Sequence, residues 1–154
     1  MAEQFVVERS ETIAASPEAV FAKVGNLAGW DDWSPWAEMD PNMDKTYSGE
    51  QGTVGSSYHW TGNRKVGEGR MTVTDVTPNE QITIDLEFVK PFKSQNVTKM
   101  LLTPAGDSTT VTWHMTGPHS FMTKVMGFFG KNMDKMVGPD FEKGLAKLKR
   151  ITEG

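Results

Sequence analysis

The sequence predicts an α+β fold, a curved antiparallel sheet wrapped around a long C-terminal helix. Two patterns and the boundary between them predict it. Across residues 47–115 apolar side chains recur at every second position, as in Ile82, Ile84, Leu86 and Phe88 opposite Thr83, Asp85 and Glu87. Such alternation gives a strand one buried face and one wetted face. After Gly117-Pro118 the period becomes helical. Met122, Val125, Met126, Phe129, Met133, Met136 and Val137 fall within about 120° at 100° per residue. Strands with one apolar face need a covering layer, and the amphipathic segment supplies it.

The elements follow in chain order. Residues 5–14 begin as an extended run. Ser16-Pro17-Glu18 then reads as a helix start: a hydroxyl cap, a proline at the first helical position, and an acid at the positive end of the dipole. Val20, Phe21 and Val24 form its apolar face, and Gly25-Asn26 ends it. The segment from Trp30 to Trp36 carries three tryptophans, Trp30, Trp33 and Trp36. It reads either as an aromatic plug for one end of the core or as one wall of a pocket. Tyr58 and Trp60 alternate with polar neighbours, and Thr61-Gly62-Asn63-Arg64 reads as a hairpin turn. Residues 66–76 return, Pro78-Asn79 turns the chain, and Pro91 ends the strand of Ile82 to Phe88. Thr98, Met100 and Leu102 form the next inward set, and Val111, Trp113 and Met115 follow a turn at Pro104-Ala105-Gly106-Asp107. Phe141, Leu145, Leu148 and Thr152 make a second helical stripe, rotated from the first by roughly 90°. A bend or stop is therefore expected at Gly138-Pro139.

A chain of 154 residues fits one domain spanning 1–154. It has no cysteine, so disulfides and thiol chemistry are excluded, which fits the cytoplasm. No apolar run reaches the roughly 18 residues of a membrane span. The first residues lack a basic region followed by an apolar stretch, so no signal peptide is expected, and the sequon Asn96-Val97-Thr98 is discounted for want of one. A net charge of −4 argues against a nucleic-acid partner. The charge is uneven: residues 1–118 hold 9 basic and 16 acidic residues, and residues 119–154 hold 7 basic and 4 acidic. The basic end reads as a solvated helix face, or as a surface for transient contact with an anionic membrane.

In their order, Ser16-Pro17-Glu18-Ala19-Val20-Phe21, Trp33-Ser34-Pro35-Trp36, Val111-Thr112-Trp113-His114-Met115-Thr116-Gly117 and Gly138-Pro139-Asp140-Phe141-Glu142-Lys143-Gly144-Leu145 carry a resemblance over nearly the whole chain. It resembles the START-like or SRPBCC superfamily, within it the polyketide cyclase/dehydrase and lipid-transport group. The resemblance implies a helix-grip fold with a hydrophobic cavity under the C-terminal helix. It does not imply one reaction, because the superfamily includes cyclases, lipid carriers and hormone receptors.

Strand parity places Tyr58, Trp60, Met71, Phe88, Met100, Trp113 and Met115 on the apolar faces, to converge with Phe129 and Met133 from the helix, while Trp33 and Trp36 close one end. The expected ligand is a small hydrophobic molecule, lipid-, polyketide- or aromatic-like. Methionines suit such a wall because they repack around different shapes. His59 and His114 are expected to face outward. His119, before the terminal helix, is the best candidate for a polar group at the cavity mouth. Glu68 would turn inward only through a bulge near Gly67 or Gly69. No HExxH, Walker, Gly-x-Ser-x-Gly or dinucleotide pattern occurs, so neither a metal nor a cofactor is expected, and no catalytic residue stands out. The alternatives to a binder are a cyclase or dehydrase using the same cavity and a protein-interaction module. The oligomeric state is not legible.

Overall fold

The computed structural model describes residues 4–34, 42–50, 52–63, 67–90, 93–129 and 133–153. In chain order these form β1 (Gln4–Ile13), α1 (Pro17–Val24), a 3-10 turn (Ala28–Asp32), β2 (Asp44–Ser48), β3 (Ser57–Thr61), β4 (Glu68–Thr77), β5 (Gln81–Lys90), β6 (Ser94–Ala105), β7 (Ser108–Pro118), α2 (His119–Phe129) and α3 (Met133–Glu153). The seven strands make one sheet in the order β1-β7-β6-β5-β4-β3-β2, every neighbouring pair antiparallel. From β2 to β7 consecutive strands are neighbours, and β1 joins the far side of β7.

The turns sit where the sequence bends most cheaply. Asn79 adopts φ 65° between β4 and β5, and Gly106 adopts φ 65° between β6 and β7, a left-handed conformation that asparagine and glycine tolerate. Ser16 caps α1 by accepting from the Ala19 amide at 3.2 Å, with Pro17 opening the helix and Gly25 closing it.

Alternation then decides what is buried. On β7 Val111, Trp113 and Met115 are buried, on β6 Thr98, Met100 and Leu102, and on β5 Ile82, Ile84 and Leu86. This inner face is covered by α3, which lies along β1, and by α2 beside it. Helix α3 is fastened to β1 near both ends. Arg9 donates to Asp134 at 2.9 and 3.1 Å and to Glu142 at 3.4 Å. Farther along, the Ala14 amide donates to Glu153 at 2.7 Å and Lys149 donates to the Thr12 carbonyl at 2.9 Å.

Two details of the helical reading are corrected. The helix does not stop at Gly138-Pro139: the chain stays helical from Met133 to Glu153. Proline costs the ladder one N–H, but Val137, Phe141, Leu145 and Leu148 are buried on either side of it and hold the helix to the core. Gly138 is there for another reason: a Cβ at this position would run into the Arg9 guanidinium, which lies across the helix to reach its two acids. The first stripe holds only in part: Val125 and Val137 are buried and Met136 packs against the core, but Met126 does not follow. Met126 is 49% exposed, and α2 packs through Phe121 and Val125 instead.

Candidate functional site

Ring contacts divide the interior into two ends. At one, Trp33 lies 4.7 Å from Trp30 and 5.2 Å from Trp113 between ring centroids, and Trp113 stacks on Phe141 of α3 at 4.0 Å with the planes 4° apart. The Trp30 indole N–H donates to the Val24 carbonyl at 2.9 Å and that of Trp33 to the Lys23 carbonyl at 3.4 Å, so the end of α1 holds both rings. Trp33 and Met100 are wholly buried and Trp113 nearly so. This end is packed ring against ring, as a plug.

At the other end a chain of rings runs from helix to edge strand. Phe5 meets Phe121 at 6.2 Å, Phe121 stacks on Phe88 at 5.5 Å, Phe88 meets Trp60 at 6.1 Å, Trp60 stacks near Tyr58 at 5.9 Å, and Tyr58 meets Tyr47 at 5.1 Å. Gly69 leaves room for Trp60, whose ring would sit 2.5 Å from a Cβ placed there. Tyr47 and Lys45 both bond Asp31 of the 3-10 turn. Burial, followed by the Asp31 hydrogen bond, pushes the Tyr47 hydroxyl above its ordinary range; burial and the Asp31 charge do the same to Tyr58.

Beside these rings lies the feature that the sequence reading missed. The buried polar residues among those described are Ser56, Asn96, Thr98 and Thr109, and none is charged. Ser56 donates to the Thr53 carbonyl and Thr109 to the Ala15 carbonyl. Asn96 and Thr98, each 2% exposed, have no hydrogen-bond partner among the described residues for Nδ2, Oδ1 or Oγ1. The Ser94 hydroxyl, next on the same side of β6, has none either. Register explains why. Asn96 is paired with Leu86 on β5, and continuing the β6–β7 register by one step from Val97↔Thr116 sets Gly117 on its other side; Thr98 lies between Ile84 and Met115. Apolar neighbours offer no bond. A Cβ on Gly117 would strike both the Asn96 amide and the Phe5 ring, so that amide leans over the glycine beside the ring. Leaving such groups unsatisfied costs about 1–3 kcal/mol each, so a ligand or water that bonds them gains that much. The signal was present in parity: if Thr98 and Met100 face inward, so do Asn96 and Ser94.

The other expected site residues fall as follows. Tyr58, Trp60, Met71 and Phe88 belong to the ring-lined end, Met115 lies beside Thr98, and Met100, Trp33 and Trp113 belong to the plugged end. Trp36 lies outside the described residues, as do the side chains of Phe129 and Met133. His119 is the exposed first residue of α2. His59 and His114 are on the outer face. His59 contacts Glu68 at 3.1 Å, so Glu68 stays outside although a bulge does fall between Glu68 and Gly69. Half-buried Asp140 on α3 has its carboxyl pushed up by burial, against the opposing charge of Lys143. An open depression of about 420 Å³ lies on the outer side of the sheet, lined by Gln4, Gln95, Val97, Thr116 and Pro118 with Asn96 and Gly117. Its exposed side chains, Gln4, Gln95 and Val97, separate it from the expected interior space. No helix among the described residues is long and apolar enough to cross a membrane.

An open, curved antiparallel sheet gripping a C-terminal helix is the helix-grip class of ligand-binding folds, START-like and SRPBCC in type. The chain belongs to the polyketide cyclase/dehydrase and lipid transport family, whose model matches residues 4–153. Its fold is similar to that of CV1439 from Chromobacterium violaceum, with a TM-score of 0.70 and 13% identity over 97% of each chain. It is also similar to Mll3558 from Rhizobium loti, with a TM-score of 0.69 and 21% identity over 97% of this chain and 98% of that one. Ara h 8.0201 gives a TM-score of 0.66 and 10% identity over 97% and 98%. At these identities the likeness is one of fold alone. No curated protein matches in sequence.

Proposed function

We propose that the chain binds a small, mainly apolar molecule between the inner sheet face and the C-terminal helices, at the end lined by Phe5, Phe88 and Phe121. The observation that carries this reading is the pair Asn96 and Thr98: buried, unpartnered and set among apolar side chains. A closed core selected for packing alone gains nothing from such groups, whereas a binding site orients an apolar ligand with a few polar ones. Membership of the family supports the same reading. The basic excess of residues 119–154 makes exchange at an anionic membrane surface part of it.

The test is native mass spectrometry of the purified protein together with a thermal-shift panel of fatty acids, flavonoids, sterols and aromatic polyketides. A ligand that binds only the folded state adds about 2.7 kcal/mol of stability at a hundredfold excess over its Kd. No co-purified molecule and no shift from any class would sink the proposal. The cyclase or dehydrase alternative requires an acid or base against the ligand. Chemical change of a bound ligand on incubation with the protein would favour an enzyme.

A further inference from the structure

The chemistry of the inner face is specific about the ligand's polar end. We propose that Asn96 and Thr98 form an anchor for an uncharged hydroxyl or carbonyl group carried on an aromatic ring, and that the site discriminates against carboxylates and amines. This rests on the reading of the interior as a ligand site.

The two side chains are two residues apart on β6 and therefore share its inner face. Between them they present an amide N–H pair, an amide oxygen and a hydroxyl, none of them engaged by another described residue. A hydroxyl on the ligand can donate to Asn96 Oδ1 and accept from Thr98; a carbonyl can accept from Asn96 Nδ2. A carboxylate would need a cation. Among the described residues no buried one is charged. Arg9 and Lys45, at inner-face positions of the two edge strands, are already held by Asp134 with Glu142 and by Asp31. The in-register neighbours Leu86, Gly117, Ile84 and Met115 are all uncharged. An ion brought here would lose its water without gaining a counterion. The ring preference comes from Phe5, Phe88 and Phe121, whose mutual contacts lie beside the amide and present faces and edges to a flat partner.

The experiment compares naphthalene, naphthol and naphthoate at neutral pH, with dissociation constants read from tryptophan fluorescence for the wild type, Asn96→Leu and Thr98→Val. The expected result is that naphthol binds roughly tenfold tighter than naphthalene, with naphthoate weakest. Either substitution should bring naphthol down to the naphthalene value while naphthalene itself is unchanged. Thr98→Val is nearly isosteric and keeps the test open should Asn96→Leu not fold, which far-UV circular dichroism reports. Naphthoate binding as tightly as naphthol overturns the anchor, and so does a naphthol advantage that survives both substitutions. Equal binding of naphthol and naphthalene to the wild type also overturns it, since the pair then bonds only structural water, but leaves the interior site standing. If no probe binds, the anchor and the proposed function fall together.

Discussion

Gly117 and Gly138 both lie under a polar side chain, and a methyl group at either would strike it. The physical consequences differ. Above Gly117 are the buried Asn96 amide and the Phe5 ring, and a Cβ would overlap both, so Gly117→Ala is an overpacking change and should cost roughly 1–3 kcal/mol. Above Gly138 is the end of Arg9, a flexible side chain at a partly exposed ion pair with Asp134. Displacing it forfeits at most about 1 kcal/mol, and alanine in place of glycine within a helix returns about as much. Gly138→Ala should therefore stay within about 1 kcal/mol of the wild type in urea denaturation. A large loss at Gly138 and none at Gly117 would show that the roles are reversed. At this scale the sequence was only half legible. Parity points Asn96 inward, yet it cannot tell that the residues opposite leave its amide unpaired, because that depends on cross-strand register.

Among the elements, the strands were the most legible, since period-2 alternation and the Asn79 and Gly106 turns are local properties. The helices were less so. The second stripe, Phe141, Leu145 and Leu148, is buried as expected, whereas the first gave Val125 and Val137 correctly but put the exposed Met126 on the buried side. Periodicity fixes the centre of a face more firmly than its margin, where Met126 sits. The weight of α3 rests on Phe141, stacked on Trp113. Phe141→Ala should cost about 3–5 kcal/mol and shift the tryptophan emission to the red as Trp113 meets water. An unchanged spectrum would mean that the stacking is incidental. One residue earlier, burial raises the Asp140 carboxyl above its ordinary 3.8. The sign follows from that direction: folding favours the protonated acid, so its contribution is present below pH 3.8 and is lost as pH rises. Asp140→Asn should be more stable than wild type near neutrality, with the advantage vanishing in acid. Melting temperatures across pH test this, and a constant difference would reject it.

Across the whole molecule, the edge strand β2 and the 3-10 turn are joined. The join is made by Tyr47 and Lys45 bonding Asp31, with Tyr58 behind Tyr47. Aromatic composition and alternation foretold a ring-lined end but not this tie, which brings together segments separated along the chain. The chain has two tyrosines, and both are raised above the ordinary 10.0, chiefly by burial and then through Asp31. A tyrosine raised on folding contributes stability that is present below pH 10 and is lost as pH climbs toward its folded value. Unfolding then frees the hydroxyl to ionise, and ionisation in turn draws the chain toward the unfolded state. Tyr58, 6% exposed, carries this coupling more firmly than Tyr47 at 37%. In an alkaline titration, tyrosinate absorbance should therefore lag behind that of a free tyrosine and rise together with the loss of far-UV circular dichroism. Asp31→Asn, which removes the charge facing both hydroxyls, should move the absorbance to lower pH. Two tyrosines titrating near pH 10 while the sheet stays intact would show that the join does not hold the edge of the molecule.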